Sequence, residues 1–176
     1  MPKLIVRQRP EAIEQQARDY VKSYILLPSG LLGLVSMIGG VGGLGYQLVA
    51  SDSYTWVTFY ASTALILWGV VIGVAQTRYH RFLLQQFPEV WAARMRSATA
   101  KKGRRSKTEG EPPHIDHPGR QWAPVVYVLG TGMTLGASWA AVMFGQVDGV
   151  PAVLLPWAGF FWARLFFWRG HIDPQS

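Results

Sequence analysis

The stretch that decides the fold is residues 78–120, RYHRFLLQQFPEVWAARMRSATAKKGRRSKTEGEPPHIDHPGR. It holds ten of the chain's seventeen lysine and arginine residues, namely Arg78, Arg81, Arg94, Arg96, Lys101, Lys102, Arg104, Arg105, Lys107 and Arg120. Strongly apolar sequence, rich in glycine and tryptophan, lies on both sides of it, and each flank is long enough for two membrane crossings. We therefore interpret this stretch as a cytoplasmic loop that joins two transmembrane hairpins.

The distribution of apolar residues identifies the class of protein better than their overall share does. Residues 25–49 and 54–76 contain no Asp, Glu, Lys, Arg or His. A helix on the surface of a soluble protein has a polar face, whereas an uncharged apolar run of about 20 residues matches the hydrocarbon thickness of a bilayer. The sequence predicts an all-α integral membrane protein with four transmembrane helices, arranged as two hairpins, and an N-terminal amphipathic helix.

The predicted organisation follows the alternation of charged and apolar segments. Its parts are a cytoplasmic N-terminal amphipathic segment (1–24), a first transmembrane hairpin (25–76), a basic cytoplasmic loop (77–121), a second transmembrane hairpin (122–169) and a cytoplasmic tail (170–176). The turns within the hairpins carry Asp52 and Asp148 and neither lysine nor arginine. Because basic segments stay on the cytoplasmic side, both termini and the middle loop are expected there, in a bacterial inner membrane or an equivalent energy-transducing membrane.

Two helices are predicted outside the spans. In residues 10–24 the apolar side chains fall on one face at helical spacing, so this helix is expected to lie in the membrane interface or to dock on a partner subunit. The second span is expected to continue to residue 86 and to end at Phe87–Pro88, since proline disfavours a helical residue before it. A short helix is expected to follow over residues 89–97.

Glycine spacing within the spans predicts where helices pack. Gly39 and Gly43 in the first span, and Gly132 and Gly136 in the third, form small-xxx-small pairs that let another helix backbone approach closely. The alternative is that such a face makes room for a flat cofactor, a pigment or a quinone. The aromatic-rich fourth span is likewise expected to face lipid, a partner or such a cofactor.

Basic residues near the membrane are the candidates for docking. The expected lipid- or partner-docking set is Lys101, Lys102, Arg104, Arg105 and Lys107 in the loop, because such a cluster attracts anionic lipid. Arg164 in the fourth span is expected to snorkel to the headgroups or to contact a subunit. Gln47 and Gln76 lie near span ends and are expected to reach water. No nucleic-acid recognition fold surrounds the loop, so no nucleic-acid partner is expected.

The sequence offers little material for chemistry. The chain has no cysteine, which excludes disulfides, thiolate metal sites and iron–sulfur ligation. Every histidine lies outside the spans or at a span end, where it cannot form a haem-binding pair within the bundle. His114, Asp116 and His117 lie among prolines without a further ligand nearby. No metal site, cofactor or catalytic residue is therefore expected.

These observations favour a non-catalytic structural or accessory subunit of a larger membrane complex, for which a bioenergetic complex is one candidate. Its expected partners are membrane lipid and other integral membrane subunits. Two alternatives stay open at this point. One is a small transporter or channel that works as a homo-oligomer, and the other is an assembly factor that binds a membrane complex transiently.

Overall fold

A computed structural model of the chain describes residues 10–100 and 122–172, and every regular element in these ranges is helical. The elements are α1 (Pro10–Tyr20), a π-helical segment (Val21–Leu26), α2 (Leu27–Val49), α3 (Trp56–Gln86), α4 (Pro88–Ala100), α5 (Trp122–Met143) and α6 (Gly149–Ile172). The predicted all-α class is confirmed for these ranges.

Four helical stretches are long and apolar enough to span a membrane. They are Ile13–Val49, Trp56–Gln86, Pro124–Met143 and Gly149–Trp168, with 37, 31, 20 and 20 residues. At 1.5 Å per residue the second stretch is about 45 Å long, which exceeds the hydrocarbon thickness of roughly 30 Å. The four helices indicate a membrane protein, and α3 is long enough to project beyond the hydrocarbon region.

The N-terminal helix continues into the first span without a break. The π-helical segment joins α1 to α2, so the polarity change near residue 24 does not end the helix. Ala17 and Val21 are buried in a cluster with Trp91 of α4 and Trp168 of α6. Part of the apolar face of α1 therefore packs within the chain, an arrangement that the sequence analysis does not include.

The ends of α3 are set by local chemistry. Thr55 caps its start, because the Thr58 backbone N–H donates to Thr55 Oγ1 (3.3 Å) and the Thr55 N–H donates to Thr58 Oγ1 (3.2 Å). This reciprocal pair is a capping box. At the other end α3 stops at Gln86 and α4 begins at Pro88, as predicted from the proline.

Helix α6 lies at the centre of the bundle and packs against α2, α3 and α5. Four of its buried positions hold small residues, Ala152, Ala158, Gly159 and Ala163, beside Pro151, Leu155, Pro156 and Trp168. Small side chains let neighbouring helices come close. The helix also contains Pro156 and runs on to Ile172.

The contacts of α6 fix the relative directions of three helices. Along α2 the paired positions run in opposite directions, as Gly30 with Leu165, Gly33 with Phe161, Gly40 with Leu155 and Gly43 with Pro151. Along α3 they rise together, since Gly69 approaches Pro156 and Gly73 approaches Ala163. Hence α2 runs antiparallel to α6, and α3 runs parallel to it.

Gln47 connects two parts of the bundle where the sequence analysis expects a solvated side chain. It is only 2% exposed. Its Oε1 accepts a hydrogen bond from the Asp148 backbone N–H (3.3 Å), and its carbonyl oxygen accepts one from Ser51 Oγ (3.1 Å). A buried amide needs such partners, so the expectation of solvation is wrong, and Gln47 links the end of α2 to the start of α6.

Candidate functional site

The four glycines predicted to pack lie in two different environments. A Cβ added at Gly39 would lie 2.5 Å from Leu154 Cδ1, and one at Gly43 would lie 2.8 Å from Pro151 Cδ. Both glycines therefore face α6. Gly132 and Gly136 on α5 have no atom of the described part of the chain within 4 Å of such a Cβ. The structure does not bring the two glycine pairs together.

The closest helix contact involves glycines that the sequence analysis does not select. A Cβ at Gly69 of α3 would overlap the Pro156 carbonyl oxygen, and one at Gly159 of α6 would overlap the Ile66 carbonyl oxygen. A Cβ at Gly73 would lie 2.6 Å from the Phe160 carbonyl oxygen. Gly69 and Gly73 have the same four-residue spacing as the predicted pairs, so this signal was present in the sequence.

A groove of about 520 Å³ lies between α3, α5 and α6. Its wall is mostly apolar and includes Gly69, Ile72, Val126, Gly130, Trp157 and Phe160. The groove exists because α5 makes far less contact with α3 and α6 than these two helices make with each other. Its volume is in the range of pockets that hold small molecules in proteins.

One end of the groove is polar. Gln76, Tyr79 and Tyr127 line it there, and Tyr127 Oη shares a hydrogen bond of 2.8 Å with Nε2 of His80. Gln76 Oε1 and His80 Nδ1 are buried and have no hydrogen-bond partner in the described part of the chain. Of these two residues only Gln76 lines the groove, and because buried polar atoms are normally satisfied, its amide oxygen has unused capacity to accept a hydrogen bond there.

Arg164 places a positive charge beside the polar end. Its Cζ lies 5.5 Å from the centroid of the Phe160 ring, which is part of the groove wall. The guanidinium thus lies over the preceding turn of α6, beside the groove through Phe160 although Arg164 is not one of its lining residues. Its Nε atom is buried without a hydrogen-bond partner among the described residues.

Helix α4 packs against the cluster formed by His80, Tyr127 and Arg164. The Trp91 ring meets the His80 ring edge-on with centroids 5.9 Å apart, and Arg94 Cζ lies 5.3 Å from the centroid of the Trp91 ring. His80 and Tyr127 are 47 residues apart in the sequence. No spacing or motif signals this contact, which explains why sequence reasoning missed the cluster.

The remaining candidates cannot be placed. Lys101, Lys102, Arg104, Arg105 and Lys107 lie outside the described residues, as do His114, Asp116 and His117. Within residues 10–100 and 122–172 no three His, Cys, Asp or Glu side chains come together as a metal site. The docking role of the basic loop stays a prediction.

The fold and the groove define a class, namely helical proteins with four helices long and apolar enough to span a membrane. Comparisons with protein-family models, curated proteins and solved structures gave no match.

Proposed function

We propose that the chain is a non-catalytic structural or accessory subunit of a larger membrane complex, of the kind found in bioenergetic membranes. Its four helices cross the membrane as two hairpins, with both termini and the middle loop in the cytoplasm. The observation that carries the proposal is the open glycine face of α5, formed by Gly132 and Gly136. A partner helix is the occupant for which such a face is suited.

The comparison with the other glycine pairs supports this assignment. At Gly39 and Gly43 on α2, and at Gly69 and Gly73 on α3, the missing side chain leaves a notch in the helix surface. Helix α6 fills these notches. Helix α5 is also the least enclosed span, since 17% of its apolar membrane-spanning part is buried within the chain, against 44% for α6. Packing between helices in lipid depends on close van der Waals contact, and α5 offers a surface for such contact that this chain leaves empty.

The topology adds a cytoplasmic surface to the proposal. The basic loop, with Lys101, Lys102, Arg104, Arg105 and Lys107, would dock on anionic lipid or on a cytoplasmic partner. Its sequence position places it between α4 and α5. A subunit of this kind would contact the complex through α5 in the membrane and through the loop in the cytoplasm.

The test is extraction of the tagged chain from native membranes in mild detergent, followed by a native gel and mass spectrometry of its band. We expect co-migration with different polypeptides at a fixed ratio. Gly132→Leu and Gly136→Leu should each remove most of the chain from that band, because a bulky side chain would hold the partner helix away. Met133→Phe is the matched control, since it adds bulk at another exposed position of α5 (56% exposed).

Three results would contradict the proposal. A band with this chain alone, as a discrete oligomer, would favour the homo-oligomeric transporter or channel. Association at a low and variable ratio would favour the transient assembly factor. Normal co-migration of Gly132→Leu and Gly136→Leu would exclude this face of α5 as the contact.

A further inference from the structure

We infer that the groove between α3, α5 and α6 binds one anionic phospholipid. Its phosphate would lie at the polar end, beside Arg164 and the His80–Tyr127 pair, and one acyl chain would follow the apolar wall. This site is independent of the proposed subunit contact. Gly130 lines the groove, whereas Gly132, two residues further on, lies about 200° around the helix axis.

The apolar part of the groove suits a linear chain. Its lining on α3 extends from Gly69 to Tyr79, which is about 15 Å along the helix axis. Gly130 contributes no side chain, and the atom nearest to a Cβ there would be Ile72 Cγ2 at 4.0 Å, so the space beside Ile72 is kept open. An acyl chain in the groove would gain van der Waals contact with its apolar wall, which is the main source of packing energy inside a membrane.

The polar end favours an anion. Within the described ranges no carboxylate forms an ion pair with Arg164, and a second cation, Arg94, lies over the Trp91 ring that packs against His80. Phosphate oxygens accept charge-assisted hydrogen bonds from a guanidinium, and these are among the stronger hydrogen bonds in proteins. A bound phosphate would give a partner to the Arg164 Nε–H, which has none among the described residues.

The depth of Arg164 also matches a lipid phosphate. Arg164 lies four residues before Trp168, which ends the apolar stretch of α6, and four residues correspond to about 6 Å. The guanidinium is thus near the border between hydrocarbon and headgroups. A neutral quinone would fill the apolar part of the groove and leave the Arg164 charge uncompensated. Free phosphate would neutralise that charge and leave the apolar part of the groove empty. The two features together select an anionic phospholipid.

The first experiment measures lipid retention by the full chain, purified in detergent and stripped of lipid. Phosphatidylglycerol or phosphatidylcholine is added at equal concentrations, and native mass spectrometry counts the molecules retained. We expect one tightly held phosphatidylglycerol and weaker binding of phosphatidylcholine. Arg164→Gln should weaken the phosphatidylglycerol affinity about tenfold, the effect of losing one charge-assisted hydrogen bond. Arg78→Gln, an exposed position on α3, should retain the lipid.

The second experiment blocks the groove. The atom nearest to a Cβ at Gly130 is Ile72 Cγ2, at 4.0 Å, so the side chain in Gly130→Leu would extend into the groove and exclude the acyl chain. Gly132→Leu is the matched control and should bind lipid as the unmodified chain does. Inorganic phosphate at millimolar concentration should not displace the lipid. If Gly130→Leu does not fold, as judged by its thermal transition, the comparison of Arg164→Gln with Arg78→Gln decides.

Several outcomes would overturn the inference. They are the absence of saturable phosphatidylglycerol binding, equal binding of the two lipids, equal loss of lipid in Arg164→Gln and Arg78→Gln, and equal lipid retention by Gly130→Leu and Gly132→Leu. Recovery of a neutral quinone or a pigment from the purified chain, in place of phospholipid, would also overturn it. None of these measurements depends on a partner subunit, so failure here leaves the subunit proposal standing.

Discussion

Two glycines set the distance between α3 and α6. At Gly69 and Gly159 a methyl group would meet a backbone carbonyl of the opposite helix, which cannot rotate away as a side chain can. At Gly39 the nearest atom is the end of the Leu154 side chain, which can change rotamer. The same residue type therefore has a strict role at the α3–α6 contact and a more tolerant one on α2.

Gly69→Ala should lower the stability of the folded bundle. The added methyl group forces α3 and α6 apart, and overpacking of this kind costs about 1–3 kcal/mol or more. The thermal midpoint of the purified protein in detergent measures the effect. Gly42→Ala is the control, because nothing lies within 4 Å of its added Cβ and alanine favours a helix over glycine by about 1 kcal/mol. A midpoint for Gly69→Ala at or above that of Gly42→Ala would contradict the close contact.

For single residues, the sequence identifies which positions can allow close packing but not which residues lie next to them. The four-residue spacing of Gly39 and Gly43 also occurs at Gly132 and Gly136, and spacing alone cannot tell which pair meets a helix of the same chain. That depends on which helix lies opposite, and hence on tertiary structure. Gln47 shows the same limit, since its burial follows from a contact with Asp148 in another part of the sequence.

Among the elements, the N-terminal stretch formed by α1 and the π-helical segment packs with α4 around Trp91. Trp91 is 5% exposed, and its cluster includes Ala17, Val21 and Ile25 from the N-terminal stretch. The Tyr20 ring also packs against it, with centroids 5.7 Å apart. Trp91 of α4, together with Trp168 of α6, thus packs against the part of the N-terminal stretch that precedes α2.

Trp91→Ala should release this stretch from α4. Replacing a buried tryptophan by alanine typically costs 3–5 kcal/mol, and here the loss falls on the cluster that Trp91 shares with the N-terminal stretch and Trp168. Hydrogen–deuterium exchange should therefore become faster at residues 13–20, with little change in the first half of α6. Trp56→Ala, at a position 76% exposed, should leave the exchange of that segment unaltered. Unchanged protection of residues 13–20 in Trp91→Ala would show that other contacts hold them.

The end of a helix could be predicted from the sequence where a particular residue prevents the helix from continuing. Phe87 and Pro88 end α3 because proline restricts the residue before it, and the structure agrees. The join between α1 and α2 was not predicted, since only polarity changes there and no breaking residue occurs between Tyr24 and Leu27. Polarity decides what surrounds a helix, and it does not interrupt the backbone hydrogen bonds.

For the whole molecule, the membrane class could be predicted because uncharged stretches of span length are rare outside membranes. The central position of α6 could not be predicted. Its many aromatic residues indicate an outward-facing helix, and Phe166 is indeed 62% exposed. The small residues Ala152, Ala158 and Gly159 form its buried face, however, and their importance emerges only when α2 and α3 lie against them.

The proposed topology can be measured directly because the chain has no native cysteine. A membrane-impermeant maleimide applied to intact cells should label Ser51→Cys, in the turn after α2, and should not label Ser106→Cys in the basic loop. Permeabilising the membrane should expose Ser106→Cys. The reason is that positively charged loops remain in the cytoplasm. The opposite labelling pattern would reverse the proposed orientation.

The central position of α6 also has a consequence for biosynthesis. Among the spans α6 leaves the ribosome last, yet it fills the notches of α2 at Gly39 and Gly43 and that of α3 at Gly69. Until it arrives, the earlier helices sit in the bilayer with these notches open. A nascent chain that stops before residue 149 would lack the segment that joins them, and it would present these open notches to the quality-control machinery of the membrane.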